Sequence, residues 1–161
     1  MFRSGWEWVA VEAAAELAGR IGDGYWGNST DRELLDSFEQ AGGTGPRYAQ
    51  LNLCWARDEQ QAREVVHRVW PNSAVKGQLS QDLPTWTHFE QATEMLDQDD
   101  TTSSTPCGPD IADSLVETVA EYVDAGYDHI YFHQIGPDQD GFFEFWRREL
   151  RPALESAKLA A

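Results

Sequence analysis

The apolar positions of this chain alternate between helical and strand-like spacing from end to end. Residues 9–21 are Ala-rich with Leu17 and Ile21 four apart, which predicts a helix stopped by Gly22-Asp23-Gly24. Tyr25-Trp26-Gly27 is a short aromatic strand. Ser29-Thr30-Asp31 offers caps, Glu33 lies three residues after Thr30, and Leu34, Leu35 and Phe38 form an apolar stripe. A second helix is therefore expected there, ending at Gly42-Gly43. Residues 48–56 read as a strand, and residues 58–69 as a helix carrying Ala62, Val65, Val66 and Val69, closed by Pro71.

Periodicity then lapses. Residues 72–83 are polar and aperiodic, which predicts a long loop, and Phe89, Ala92, Met95 and Leu96 mark a helix starting near Pro84-Thr85. Residues 97–105 are mostly Asp, Gln, Ser and Thr and read as an exposed loop. Pro109 and Asp110 open a helix with Ile111, Leu115, Val119, Tyr122 and Val123 on one face and Gly126 as its C-cap. Residues 129–133 are the strongest strand in the chain. After the turn Gly136-Pro137-Asp138, a last helix carries Phe142, Phe143, Phe145, Trp146 and Leu150.

Strands alternating with helices imply right-handed β-α units, a parallel sheet and an α/β fold of about four units, which is an open sheet or half of an eight-fold barrel. One domain over residues 1–161 is expected. In the last strand, Tyr131, His133 and Ile135 alternate with Ile130, Phe132 and Gln134, so both faces are largely apolar and call for cover on both sides. Helices of this chain cover one face. The other needs a second half-barrel, and an isolated copy is expected to self-associate.

Composition narrows the chemistry. With 28 acidic and 12 basic side chains, the formal net charge is -16. Such an excess repels phosphate backbones and anionic lipid, so nucleic-acid and membrane partners are disfavoured. Ten of the cations are Arg and two are Lys, as on a halophilic surface; an acidic protein of an ordinary cytosol is the alternative. Seven Trp and seven Phe argue for a packed core. No apolar run is long enough to span a membrane and no signal pattern opens the chain, so a cytoplasmic protein is expected.

No phosphate-loop or dinucleotide glycine fingerprint occurs, and no His or Cys spacing suits a metal. Cys54 lies in an apolar run and reads as a small buried hydrophobe, while Cys107 in Pro106-Cys107-Gly108-Pro109 falls in a loop open to exposure. Nothing in the sequence supports a disulfide or a cysteine nucleophile. His133 and Gln134 end the last strand, the functional edge of a barrel, though a strand His is more often a packed residue than a ligand. Asp138-Gln139-Asp140 reads as helix capping, and of the Trp residues only Trp26 sits where a ring could line a pocket.

Three segments in order, Ala18-Gly19-Arg20-Ile21-Gly22-Asp23-Gly24-Tyr25, Val123-Asp124-Ala125-Gly126-Tyr127-Asp128-His129-Ile130 and Gln134-Ile135-Gly136-Pro137-Asp138-Gln139, carry a resemblance. The chain resembles the luciferase-like family of flavin- and deazaflavin-dependent oxidoreductases, in the coenzyme F420 branch near the glucose-6-phosphate dehydrogenase type. The likeness runs from about residue 4 to residue 154. Members are TIM (β/α)8 barrels of about twice this length. The resemblance therefore implies the C-terminal half of such a barrel, entered near the fifth strand. The family's catalytic His, Glu and Trp lie in the other half, so catalytic residues are left unassigned.

The resemblance implies coenzyme F420 as cofactor, with FMN as the alternative, and a small-molecule substrate. Ser4-Gly5 corresponds to a turn whose backbone N–H groups hold the cofactor phosphate, although Trp6-Glu7-Trp8 departs from the small residues usual there. Asn28 and Ser29 correspond to a substrate-binding loop. Asn28 stands where the sugar-phosphate enzyme has Thr and Asp31 where it has Lys, which argues against glucose 6-phosphate. Capping of the following helix is the plainer role for Ser29-Thr30. The expected functions are an oxidoreductase half-barrel moving a hydride between deazaflavin and a small organic substrate and inactive alone, a non-catalytic half-barrel that pairs with itself or a separate N-terminal half, and, third, a small α/β binding protein.

Overall fold

The computed structural model describes residues 5–75 and 77–159, with side chains left undescribed for residues 5–11, 78 and 81. The element order is α1 (Gly5–Ile21), β1 (Tyr25–Gly27), α2 (Arg32–Gln40), β2 (Arg47–Leu53), α3 (Glu59–Val69), a 3-10 turn (Pro71–Ala74), α4 (Gln78–Asp82), α5 (Trp86–Thr93), α6 (Gln98–Thr102), α7 (Ala112–Ala125), β3 (His129–Gln134), α8 (Gln139–Phe145), a π turn (Trp146–Leu150) and α9 (Arg151–Ser156). The three strands form one sheet in the order β1-β2-β3. β1 and β2 run parallel, with Tyr25 opposite Arg47 and Gly27 opposite Ala49. β3 ascends alongside β2, since the Asp128 N–H bonds the Arg47 carbonyl and the Ile135 N–H bonds the Leu53 carbonyl, both at 2.9 Å. An α/β fold of parallel strands alternating with helices is what the periodicity implies. Three strands rather than about four units are present among the described residues.

By density of contacts the chain divides into two compact units, residues Met1–Leu51 with Thr118–Tyr131, and Asn52–Glu117 with Phe132–Ala161. In the first unit, Ala15 on α1 is fully buried, and a Cβ on Gly19 would strike the Phe38 carbonyl, so two small residues let α1 lie close on α2. Leu17 and Ile21, the expected apolar pair of α1, are instead 55% and 78% exposed. Leu34, Leu35 and Phe38 of α2 are buried as their spacing requires, together with Tyr25, Ala49 and Leu51. The cap of α2 is Asp31, whose carboxylate accepts the Glu33 N–H at 3.0 Å; Ser29 sits one turn earlier and accepts the Asp31 N–H at 3.1 Å. α7 closes on Gly126 at φ +106°, where Arg32 donates to the Ala125 carbonyl at 3.1 Å and so satisfies a helix-end acceptor.

The start of β2 is tied to the start of β3 by a two-pronged ion pair. Arg47 donates from Nε and Nη2 to Asp128 at 3.0 and 2.9 Å, adds its backbone N–H at 2.8 Å, and reaches Glu39 at 2.7 Å. Hydrogen bonds from Arg47 hold the Asp128 carboxyl below its ordinary range, against a smaller desolvation that pushes the other way. A depressed folded-state value means the pair stabilises above the unfolded carboxylate range and that this stability is lost as pH falls through the folded value. Asp128→Asn is expected to cost about 1 kcal/mol at neutral pH, discounted for the solvent exposure of both partners. The check is a pair of urea titrations of wild type and variant across pH. The gap between their midpoints should close on acidification, and a gap that widens instead refutes the assignment.

The second unit departs most from the sequence pattern. Residues 72–83, expected as a loop, hold the 3-10 turn and α4. Residues 97–105, expected as an exposed loop, hold α6, opened by a reciprocal capping box between Asp97 and Asp100. Thr101, Thr102 and Thr105 are buried there, with Thr101 Oγ1 3.1 Å from His67 Nδ1 and the hydroxyls of Thr101 and Thr102 donating to the Gln98 carbonyl. Ala62, Val65 and Val66 of α3 pack with Cys54 and Ala56, while Val69 is half exposed. The last helix is one continuous run from α8 to α9 with a π turn in the middle. Pro152 accounts for it: lacking an N–H and carrying a ring that crowds the carbonyl four residues back, it favours a locally widened helix. Trp86 on α5 is 73% exposed.

Candidate functional site

Of the four residues expected to touch ligands, Ser4 lies outside the described residues and Gly5 is the first residue of α1. Asn28 and Ser29 leave β1 at its C-terminal end. The loop is fixed by two phenols from α7 and its exit: Tyr122 donates to the Asn28 carbonyl at 3.0 Å and Tyr127 to the Ser29 carbonyl at 2.9 Å. Burial raises the hydroxyls of Tyr122 and Tyr127, with neighbouring acidic groups adding to it, so both act as neutral donors throughout the physiological range. With its carbonyls engaged and Ser29 Oγ accepting from Asp31, the loop presents the exposed Asn28 amide to solvent. Beside it lies a cavity of about 250 Å³ lined by Ala15, Ala18, Trp26, Asn28, Ser29 and Leu34. Its wall is mainly apolar, with Asn28 and Ser29 as the polar residues among those that line it, a composition that suits a small, weakly polar organic molecule. The sequence assigns the two Tyr anchors no such role, because Tyr122 reads as part of a helix face and Tyr127 only as part of a motif until the fold brings them to Asn28 and Ser29 from more than ninety positions away.

The same unit carries an aromatic row on one face of its strands. Trp26 stacks on Tyr131 at 5.0 Å and on Tyr48 at 5.9 Å, and Tyr48 stacks on His129 at 4.9 Å. Trp26 and Tyr131 remain 56% and 51% exposed. Opposite this row in the pleat, Tyr25, Ala49 and Leu51 are buried. In this unit the face carrying Tyr25, Ala49 and Leu51 is the buried one, and the face carrying Trp26 and Tyr131 is half exposed.

In the second unit the ends of β2 and β3 are joined through a side chain. The Trp55 N–H donates to Gln134 Oε1 at 2.8 Å, and Gln134 Nε2 donates back to the Trp55 carbonyl at 2.9 Å, so the carboxamide continues the strand ladder one step past its end. Gln139 donates to the Gly136 carbonyl at 2.7 Å, and Asp138 caps α8 by accepting the Gly141 N–H at 2.9 Å. That is the capping role read for Asp138-Gln139-Asp140. Arg57 approaches Asp138 at 3.6 Å across an open cleft of about 470 Å³ whose rim also carries Asp140, Glu144 and Arg147. Two cations face three carboxylates there, which leaves no net field to draw in an anion. His133 is held by Asn52 at 2.9 Å and by the edge of Trp70 at 4.9 Å, the packed role that its strand position favours. Among the described residues no group of His, Cys, Asp or Glu converges to hold a metal ion, and no helix is long and apolar enough to cross a membrane.

No family model matches the sequence. Among known proteins, the F420-dependent glucose-6-phosphate dehydrogenase of Mycolicibacterium gilvum (strain PYR-GCK) is 28% identical over 153 residues, 87% of this chain and 45% of the relative. That of Nocardia farcinica (strain IFM 10152) is 26% identical over 88% of this chain and 46% of its own length. The fold is shared with an F420-dependent secondary alcohol dehydrogenase solved with an F420-acetone adduct, at a TM-score of 0.67 and 16% identity over 89% of this chain and 46% of that one. It is also shared with the long-chain alkane monooxygenase LadA, at a TM-score of 0.57 and 14% identity over 91% of this chain and 39% of that one. The chain spans about half the length of the relatives it matches. It is thus similar, along most of its own length, to part of a luciferase-like F420 enzyme, with the architecture of half a barrel.

Proposed function

We propose that this chain forms the C-terminal part of a coenzyme F420-dependent, luciferase-like oxidoreductase that moves a hydride between the deazaflavin and a small organic substrate. The observation that carries the proposal is the agreement of sequence and fold matches, each covering most of this chain and under half of the partner. Asn28 and Ser29 line the substrate end in this reading, and the cavity beside them suits a compact organic molecule. At about 250 Å³ that cavity is too small for a whole deazaflavin coenzyme. In this reading the loop forms a substrate wall and the coenzyme is held largely outside this cavity, so no chemical step is assigned to the described residues. Ser4 and Gly5 are proposed to meet the coenzyme phosphate through backbone N–H groups. Asp31, committed to capping α2, places a carboxylate where a sugar phosphate would need a cation, so a neutral substrate is favoured.

The 161-residue chain by itself is expected to show no turnover. Purified chain mixed with F420 and a panel of alcohols and sugar phosphates should leave the deazaflavin absorbance unchanged. Steady consumption of the coenzyme by the chain alone overturns the half-enzyme reading. One observation favours a second reading, a half-barrel that functions by pairing: Trp26, Tyr48 and Tyr131 form a stacked aromatic row in which Trp26 and Tyr131 are half exposed. Sedimentation distinguishes the two, since a soluble, strictly monomeric chain refutes pairing with itself.

A further inference from the structure

Cys54 follows the last residue of β2, and Cys107 lies 53 positions later, yet the two stand directly opposite each other in an isolated parallel bridge. The Cys54 N–H bonds the Pro106 carbonyl at 2.9 Å, and the Gly108 N–H bonds the Cys54 carbonyl at 3.0 Å. Residues paired in this way project their side chains to the same face of the ladder. Cys107 accordingly packs against the cluster that holds Cys54 with Ala62, Val65 and Val66. Neighbouring strands lie about 4.8 Å apart, inside the Cα separation a disulfide accepts. Cys54 Sγ lies toward Gly136, where an added Cβ would stand 3.2 Å from it, so closing the pair turns this sulfur away from glycine, the residue that crowds it least. Cys107 is half-buried rather than free on a loop, and its Sγ donates to the Thr105 carbonyl at 2.9 Å. Closing the pair requires that bond to break.

We infer that Cys54 and Cys107 are a disulfide-forming pair, a covalent modification site that staples the segment holding α3, α4, α5 and α6 at its two ends. In the step, both S–H bonds break and one S–S bond forms. Two electrons and two protons pass to a two-electron oxidant, either an azodicarboxamide, whose N=N bond becomes N–H groups, or a small-molecule disulfide, which is reduced to two thiols. Desolvation raises the two thiols, Cys54 to about 11 and Cys107 to about 12. At neutral pH nearly all of each is protonated, so the pair forms slowly and only under sustained oxidation. The sequence alone offered no reason to pair these residues, since their spacing fits no metal or disulfide pattern and only the bridge brings them together.

The experiment treats reduced full-length chain with diamide across a pH series and follows intact mass, free thiols and melting temperature. A loss of about 2 Da with no rise in dimer, both thiols closed to alkylation, and a linked peptide joining the two cysteines are expected. The rate should rise about tenfold per pH unit between pH 7 and 9. The melting temperature should rise by about 5–10 °C and fall back on reduction, because the link closes a long loop of the unfolded chain. Cys107→Ala, at the half-buried position, should fold and lose both the mass change and the thermal shift. Oxidation that yields only intermolecular dimers, or adducts on Cys107 with Cys54 still alkylatable after unfolding, overturns the pairing. A confirmed link that leaves the melting temperature unmoved overturns the stapling.

Discussion

Phe38→Ala is expected to remove about 3–5 kcal/mol of folding stability, a large share of the 5–15 kcal/mol typical of a domain. Phe38 is 1% exposed and closes the apolar stripe of α2. Its ring meets Tyr25 at 5.7 Å, and the backbone of Gly43 lies so close that a Cβ there would overlap the ring edge. Those surroundings are helix backbone, a strand aromatic and a glycine turn, none of which can move in to fill the void, so the cavity cost adds to the lost transfer energy. Urea unfolding followed by circular dichroism measures the loss. A cost under about 1.5 kcal/mol means the site collapses freely and this packing is not what holds α2 in place.

Gln134→Leu is expected to cost about 2–4 kcal/mol while keeping side-chain volume nearly constant. Gln134 is 9% exposed, and its carboxamide both accepts from and donates to the backbone of Trp55. Leucine fills the same space and leaves a backbone N–H and a carbonyl without partners in a half-buried loop, so the penalty is desolvation of two polar groups and not a cavity. Gln134→Glu is the sharper probe. It keeps an acceptor for the Trp55 N–H but turns its second oxygen toward the Trp55 carbonyl, so it should destabilise at neutral pH and recover as the carboxyl protonates in acid. Hydrogen exchange of the Trp55 amide reports the bond directly. Equal protection in Gln134→Leu and wild type shows that the bridge is dispensable.

These two positions differ in how far the sequence discloses them. Phe38 is legible because its burial follows from local periodicity: Leu34, Leu35 and Phe38 share one face of a 3.6-residue helix that also shows its start and its glycine stop. Gln134 is legible only as the end of a strand, and its role depends on where Trp55 falls. α6 lies between these cases. Its capping box, Asp97 and Asp100, is present in the sequence, but the surrounding Asp, Gln, Ser and Thr outweigh it as a loop signal. The deciding term is tertiary, since Thr101 and Thr102 are buried against α3 and satisfy their hydroxyls on the helix backbone.

The candidate site shows the same division. Asn28 and Ser29 are expected at a ligand because the resemblance puts them in the loop after a barrel strand, and a cavity of about 250 Å³ lies beside that loop. Tyr122 and Tyr127, which hold that loop in shape, carry no local mark of the task. Leu17 and Ile21 mislead in the opposite direction. Their helical spacing is real, but Ala15 and Gly19 make the close contact with α2, because two helices approach where side chains are smallest.

What the sequence determined by itself is the succession of the main elements, α4 and α6 excepted, and their parallel pairing, while its motifs carry the resemblance to a barrel class. Hydrophobic period, caps and glycine stops act between residues a few positions apart and are written in order along the chain. What only the tertiary structure decided is which distant residues meet: Tyr127 with Ser29, Arg47 with Asp128, Gln134 with Trp55, and Cys54 with Cys107. The physical reason is range. A helix chooses its conformation from neighbours one turn away, whereas a hydrogen bond or thiol pair across dozens of residues forms only after the sheet has brought two loop ends to the same edge.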